Sequence, residues 1–414
     1  MSQNLKTILV DLTPVLPGGE NGGAKLFVLE LLISLANQNS STNFILLTQE
    51  KSHNELSFLD RKNMSRLMVT GNSQGKPSLL SRAITYLFRQ LPKIPRKISI
   101  VGYRAYAALR RRSLKKILNN IKPNLIFCPF TAPTFAMPNT PSVCVIYDLQ
   151  YKTHPAFFDI LDIANRDHAF TEACRLSTKL ISISEYSRNS VLKHGKISPE
   201  KIQTIHLRMA NRGDENYSPT TSLLESLELK PQQYLLYPAN FWQHKNHEML
   251  LTALKIAYHN KDLSEEIKLV CTGAPGQRQQ WLINAAVKMG LKSQVIFTGY
   301  LKNSDLTYLM QNCSGVIFPS LYEGFGLPIL EAMRAGVPVA CSNTTSLPEV
   351  AGNGAIFFDP RVPTQIANAM KTLVSDNNKR ESLIQIGKER VKEFCDINRM
   401  SEEYWDVFLK CSKY

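Results

Sequence analysis

Gly315-Val-Ile-Phe-Pro-Ser-Leu-Tyr-Glu-Gly-Phe-Gly-Leu-Pro-Ile-Leu-Glu-Ala-Met-Arg-Ala-Gly-Val-Pro-Val-Ala-Cys341 reads as a strand, a loop, a helix and a second strand. Pro328 suits the first position of the helix and Gly336 the position just past its end. That places Glu331 in the first helical turn and Glu323 in the preceding loop, both at the carboxyl edge of a sheet. Gly324 and Gly326 strip side chains from the loop, so backbone N–H groups can approach a ligand at a helix N-terminus, where the dipole favours anions. Phosphate and sugar hydroxyls are the natural ligands, because one carboxylate accepts both hydroxyls of a cis-diol. Either glutamate alone would read as a helix-terminus charge, and the glycines alone as turn formers. Together they point to a site.

Outward from this stretch, short apolar runs alternate with helical patterns, the signature of strand-helix-strand units wound into parallel sheets. Strands are expected at Thr7–Leu12, Phe44–Thr48, Leu125–Cys128, Ser142–Ile146 and Leu180–Ser184, with helices at Ala24–Asn37 and Ile163–Ser177. A polar, Pro-containing stretch from Asn211 to Gln233 follows. The pattern then restarts with strands near Tyr234–Tyr237, Ile267–Thr272, Val295–Thr298, Gly315–Pro319 and Val337–Ser342. At 414 residues the chain exceeds what one core usually organises. The expected domains are 1–212 and 213–395, with 396–414 a helix crossing back to the first. Ligands in doubly wound sheets sit outside the carboxyl ends of the strands. No short-period repeat or low-complexity block is visible.

With 43% hydrophobic and 20% charged residues the composition is that of an ordinary soluble protein, and no apolar run is long enough to cross a bilayer. Lys6-Thr-Ile-Leu-Val-Asp-Leu12, broken by Asp11, reads as a buried strand and not a signal peptide, so a cytoplasmic location is expected. The eight cysteines lack Cys-x-x-Cys spacing, and several lie in apolar runs; they read as small buried hydrophobes. The net charge of +15 is concentrated, since Arg61 to Tyr147 holds 16 Lys or Arg and no Asp or Glu. At its centre, Arg104 to Leu118 has cations and apolar residues at helical spacing, the pattern of a basic amphipathic helix. Such a helix can lie on an anionic membrane surface, which would put the protein at the inner face of the membrane, or it can be a solvated face. No nucleic-acid reading module accompanies it, and nucleic acid is not an expected partner.

The Glu323 to Glu331 segment resembles the Glu-x7-Glu motif of the retaining glycosyltransferase family 4. Val295-Ile-Phe-Thr-Gly-Tyr-Leu301, Asp305-Leu-Thr-Tyr-Leu309, Pro319-Ser-Leu-Tyr322 and Ser346-Leu-Pro-Glu-Val-Ala-Gly352 are similar to that family's C-terminal domain in order and spacing. The resemblance spans about residues 234 to 360. It implies an α/β protein of the GT-B fold, two Rossmann-like doubly wound domains facing each other across a cleft. The first domain would serve the acceptor and the second the nucleotide sugar. It further implies that Glu331 binds the nucleotide ribose, that Glu323 contacts the donor sugar as a catalytic residue, and that the backbone of Gly324, Phe325, Gly326 and Leu327 holds sugar and phosphate. Lys245, in Tyr237-Pro-Ala-Asn-Phe-Trp-Gln-His-Lys-Asn246, matches the diphosphate-binding lysine. The arginine usual before it is absent; Asn240 and His244 are the polar neighbours. Gly299 and Tyr300 complete the expected donor-binding set in this half.

In the first half, Pro17-Gly-Gly-Glu-Asn-Gly-Gly-Ala-Lys25 corresponds to a loop touching donor phosphates and acceptor, with Gly22 and Gly23 the candidates. Val143-Cys-Val-Ile-Tyr-Asp-Leu149 resembles a strand that often ends His-Asp-Leu; Tyr147 stands where the His would be, Asp148 is a catalytic candidate or a simple turn cap, and His154 follows. The implied activity is transfer of a hexose, first of all mannose from GDP-mannose, to a hydroxyl of a saccharide or polyprenyl-linked saccharide. Configuration would be retained, and the setting is surface polysaccharide or glycolipid synthesis. Bacterial polysaccharide and O-antigen mannosyltransferases have similar Glu-Gly-Phe-Gly-Leu-Pro segments. No Asp-x-Asp motif occurs, so no metal or other cofactor is expected. The alternatives are a UDP-sugar-dependent transferase, a sugar-nucleotide epimerase, a phosphorylase, or a non-catalytic carbohydrate- or lipid-binding protein, which Tyr147 would favour.

Overall fold

The computed structural model describes residues 5–18, 22–70, 118–209 and 222–413. The chain divides into two compact units, Met1–Arg208 with Ile397–Tyr414, and Met209–Asp396. The expected basic helix centred on 104–118 lies outside the described residues except at Leu118, and so do residues 19–21 of the Gly-rich loop.

The first unit is built on β1 (Thr7–Asp11), β2 (Asn43–Gln49), β3 (Met64–Thr70), β4 (Leu125–Cys128), β5 (Ser142–Ile146), β6 (Lys179–Ser182) and β7 (Ile202–Thr204). They form one parallel sheet in the order β3-β2-β1-β4-β5-β6-β7. Every residue of β4 and β5 is buried, which is why both read as unbroken apolar runs: helices cover both faces of a parallel sheet. The second unit repeats the plan with β8 (Tyr234–Pro238), β9 (Lys268–Thr272), β10 (Val295–Gly299), β11 (Gly315–Phe318), β12 (Val339–Ser342) and β13 (Ala355–Phe358). Its sheet is also parallel, ordered β10-β9-β8-β11-β12-β13. Both units are thus Rossmann-like. The three strands the apolar pattern does not mark, β3, β7 and β13, each lie at an edge of their sheet.

The strand order reverses direction between β1 and β4 in the first unit and between β8 and β11 in the second. At such a switch the connections leave on opposite faces, so the carboxyl ends of the two strands open onto an uncovered crevice. In the second unit that crevice is flanked by the segment after β8, which carries Lys245, and the segment after β11, which carries Glu323.

The helix Ile397–Cys411 belongs to the first unit although the whole second unit precedes it in the chain. Met400, Tyr404, Val407, Phe408 and Cys411 form its buried stripe at helical spacing. Tyr404 and Phe408 meet Phe127 of β4 at ring-centroid distances of 5.9 and 5.1 Å. Against the helix Gly22–Gln38 the Tyr404 ring lies 6.3 Å from that of Phe27, and small residues bring the helices close, Ser34 Oγ lying 2.9 Å from Ser401 Oγ. Ser401 Oγ also donates to Gln38 Oε1 at 2.6 Å. Arg208, where the chain leaves the unit, forms a two-pronged pair with Glu403, both N···O distances being 2.9 Å.

All eight cysteines are free thiols, seven of them buried. Burial pushes the Cys174 thiol up to about 11 and the Cys313 thiol up to about 12, so neither is a thiolate at neutral pH. No helix among the described residues is long and apolar enough to cross a membrane.

Candidate active site

The site in the second unit starts from local backbone chemistry. After β8 the chain runs through Asn240 and a short 3-10 turn, Gln243–Lys245, then enters the helix His247–His259. Asn246 joins turn to helix in the left-handed region, φ +63°, a conformation Asn tolerates better than other residues with a Cβ. The turn aims Lys245 across the switch, where its Nζ lies 2.7 Å from Glu323 Oε1 and 5.3 Å from the Phe318 ring centroid. Both side chains of this ion pair are only 12% exposed. A pair so shielded from solvent is attracted more strongly than a surface pair, and each charge is costly to leave alone.

Two further bonds tie the two segments together, and a third braces the Lys245 turn against β8. Tyr237 Oη donates to the Lys245 carbonyl at 2.7 Å and lies 3.1 Å from Ser320 Oγ. The Leu321 N–H donates to the His244 carbonyl at 2.7 Å. From the next connection, Thr345 Oγ1 accepts the Glu323 N–H at 3.2 Å, and the buried Ser346 hydroxyl donates to the carbonyls of Glu323 (3.0 Å) and Phe325 (2.9 Å). The loop carrying Glu323 is therefore held at both ends. Its backbone is pre-shaped, which spares a ligand the cost of ordering it.

The helix Leu327–Arg334 begins at Leu327 with Gly326 before it, so Pro328 is its second residue, not its first. Glu331 is consequently the fifth helical residue, beyond the first turn where the sequence places it; it is half-buried. Gly336 closes the helix as expected, with φ +72° and the Gly336 N–H to Met333 carbonyl and Val337 N–H to Ala332 carbonyl bonds of a Schellman motif. Gly326 has φ +113°, and a Cβ there would stand 2.7 Å from Leu347 Cδ2. Both conformation and space demand glycine at this helix entrance.

The other expected residues fall less uniformly. Phe325 is buried with its ring 5.8 Å from that of Phe394, so only its backbone is available to a ligand. Asn240 uses its Oδ1 to accept the Ala274 N–H at 2.9 Å, tying the segment after β8 to that after β9. The His244 ring lies 5.6 Å from the Trp242 ring, and Trp242 is half exposed. Gly299 ends β10, with Tyr300 exposed beyond it; β10 is an edge strand two places from β8. The structure adds Tyr237, Ser320, Asn246, Thr345 and Ser346 to the surroundings of the pair. Of these, Ser346 opens the Ser346-Leu-Pro-Glu segment visible in the sequence, and Asn246 directly follows Lys245.

In the first unit, Gly22 begins the helix Gly22–Gln38 with φ +54° and Gly23 follows it. The start of the Gly-rich loop is anchored by the buried Lys25, whose Nζ donates to the carbonyls of Leu16 (3.0 Å) and Gly18 (2.8 Å) and pairs with Glu55 Oε1 at 2.6 Å. The hydrogen bond from Lys25 holds the Glu55 carboxyl below its usual range. Asp148 Oδ1 accepts the Gln150 N–H at 2.9 Å, the turn-capping use of an Asp at a strand end. Tyr147 packs edge-on to Phe27 and stacks with Phe130, at centroid distances of 6.3 and 6.4 Å. Its hydroxyl is buried without a hydrogen-bond partner, and burial raises its pKa well above the ordinary tyrosine value. It is a packing residue with no accessible proton to exchange at neutral pH. His154 Nδ1 lies 2.9 Å from Thr153 Oγ1, with the ring stacked on Phe157.

Among the described residues no group of His, Cys, Asp and Glu side chains could hold a metal ion.

Residues 222–390 match the family described as Glycosyl transferases group 1. O-antigen chain mannosyltransferase B of Escherichia coli is 27% identical over 333 residues, covering 79% of this chain and 82% of the relative. Serotype-specific mannosyltransferase WbdA of the same species is 30% identical over 246 residues, or 57% of this chain but only 29% of its own length. Among solved structures, Anabaena HepE in complex with UDP and glucose superposes with a TM-score of 0.69 at 16% identity, covering 97% of this chain and 99% of that one. WaaG, a glycosyltransferase involved in lipopolysaccharide biosynthesis, gives 0.65 at 17% identity over 97% and 99%. These likenesses establish the fold as GT-B.

Proposed function

We propose a specific reaction for this chain, which carries a group 1 glycosyl transferase domain and is a glycosyltransferase: transfer of mannose from GDP-mannose to a hydroxyl of a saccharide or lipid-linked saccharide, with retention of configuration, in surface polysaccharide synthesis. The observation that carries the reading is the Lys245–Glu323 pair at the β8/β11 switch point, beside the entrance of the helix Leu327–Arg334. The mannosyl assignment is supported by the relatives, whose names describe mannosyltransferases.

In this proposal the leaving diphosphate takes up negative charge as the glycosidic bond breaks, and Lys245 supplies the compensating cation. Backbone N–H groups of Gly324, Phe325, Gly326 and Leu327 share the load at the helix N-terminus. Glu323 accepts hydrogen bonds from hydroxyls of the transferred hexose, and Glu331 from the ribose diol. Glu323 lies 2.7 Å from Lys245 Nζ, so the carboxylate meets the sugar hydroxyls while its partner faces the phosphates. Asn240, His244, Gly299 and Tyr300 belong to the proposed donor-binding set of the second unit, and Gly22 and Gly23 are the proposed phosphate- and acceptor-binding residues of the first. Asp148 is the catalytic candidate within the first unit. Asp148→Asn separates that role from the turn, since the amide oxygen can still accept from Gln150 N–H.

A thermal-shift panel of GDP- and UDP-sugars tests the reading. A donor at 100 times its dissociation constant stabilises by about 2.7 kcal/mol, and GDP-mannose should give the largest shift. The anomeric configuration of the product, read by NMR, tests retention. A larger response to a UDP-sugar would replace the donor, and absence of any response would remove the nucleotide-sugar reading. The buried Tyr147 hydroxyl favours one alternative, a non-catalytic binder; slow hydrolysis of donor without acceptor excludes it.

A further inference from the structure

Asn246 directly precedes the first residue of the helix His247–His259, a position where Asn ordinarily caps the helix by accepting a backbone N–H through its side chain. Here the side chain makes no capping bond. It turns the other way and is buried, with its Nδ2 donating to two main-chain carbonyls, Pro319 at 3.0 Å and Pro360 at 2.8 Å. Pro319 follows β11 on the path to Glu323, and Pro360 follows β13. The two hydrogens of one amide are thus shared between two strand ends, while the Asn246 backbone, at φ +63°, turns Lys245 toward Glu323. The main-chain bond from Leu321 N–H to the His244 carbonyl runs parallel to this clamp.

We propose that Asn246 is a positioning residue: its side-chain amide locks the Lys245 turn to the strand end leading to Glu323, so that the ammonium and carboxylate meet a nucleoside diphosphate sugar in fixed register. The proposal rests on the donor-binding reading of Lys245 given above. Asn246 touches no substrate; it acts through Lys245. Its hydrogen-bond capacity is spent on loop alignment where a helix cap would serve stability alone. Two buried carbonyls depend on it, and each lost bond loosens the turn by a factor that two bonds multiply.

The test is a double-mutant cycle with Asn246→Gly and Lys245→Met, read as GDP-mannose dissociation constants by calorimetry, with melting temperatures in parallel. Glycine keeps the left-handed backbone and deletes only the amide. Asn246→Gly should weaken donor binding about tenfold, the scale of re-ordering a loosened side chain on binding. In the Lys245→Met background the same change should cost less than about twofold, because the group it positions is gone. Asn246→Asp, which turns oxygens toward two carbonyls, should bind worse than Asn246→Gly. Equal losses in both backgrounds, or unchanged affinity in Asn246→Gly, would overturn the positioning role. Unchanged affinity in Lys245→Met alone overturns the donor-site reading itself, and the inference falls with it.

Discussion

His247 should make the second unit acid-sensitive in a way that one substitution abolishes. Its ring is buried, 4.7 Å from the Tyr237 ring and 5.0 Å from that of Phe241, and neither ring nitrogen has a hydrogen-bond partner. Burial, reinforced by the neighbouring charges of Lys245, Arg278 and His244, depresses its pKa from 6.5 to about 3. Above pH 6.5 the imidazole is neutral in both folded and unfolded chains and contributes no pH dependence. Below it, the unfolded chain binds a proton that the folded one refuses until about pH 3. Stability therefore falls with pH across that window, by about 1.4 kcal/mol per pH unit at full slope. Between pH 7 and pH 5 this integrates to about 2 kcal/mol. The perturbation is His247→Phe, which fills the same slot and cannot titrate. The assay is urea unfolding at pH 7 and pH 5, followed by fluorescence of Trp242 and Trp281 in a Trp405→Phe background that silences the first unit. The carboxylates are common to both proteins and their contributions cancel in the difference. The parent should lose about 2 kcal/mol more than His247→Phe on acidification. Parallel losses would mean the imidazole titrates normally and would refute the argument from burial.

Three further outcomes can be checked directly. Gly326→Ala should lower the stability of the second unit by about 1–3 kcal/mol, from the left-handed backbone and the Leu347 contact, and should weaken donor binding as the loop shifts; denaturant midpoints and calorimetry measure both. Glu331→Ala should abolish the GDP-mannose thermal shift while leaving the unliganded melting temperature within a few degrees, since the side chain is half-buried on a helix flank; a full shift in the variant would remove the ribose assignment. Excess EDTA should leave transfer activity unchanged; loss with EDTA and recovery with manganese would contradict leaving-group stabilisation by Lys245.

Much of the second unit is legible in the sequence because its central strands are buried on both faces and its site helix is bracketed by Pro328 and Gly336. The edge strands β3 and β7 escape notice because half-solvated strands carry polar residues, as Ser65 and Arg66 do in β3 and Gln203 does in β7. Glu331 lies one residue further into the helix than the sequence suggests, because a proline suits either of the first two helical positions, and here it takes the second. The Lys245–Glu323 pair could not be read from spacing, since 78 residues separate its members and only the parallel pairing of β8 with β11 brings them together. An Asn before a helix ordinarily caps it, and only the direction of the Asn246 amide reveals another use. Tyr147 shows the reverse. The sequence marks it as a departure from a catalytic pattern, and the structure accounts for it as part of an aromatic cluster with Phe27 and Phe130.

The return of the helix Ile397–Cys411 to the first unit sets an order of events during synthesis. The second unit is one uninterrupted segment, Met209–Asp396, and can close its core as soon as that segment has left the ribosome. The first unit begins earlier yet finishes later. Until Tyr404 and Phe408 arrive, Phe27 and Phe127 have an unfilled apolar groove above them. For the whole time the second unit is being made, that groove is the nascent chain's point of vulnerability, and a chaperone holding it would be expected to let go only when the final helix docks.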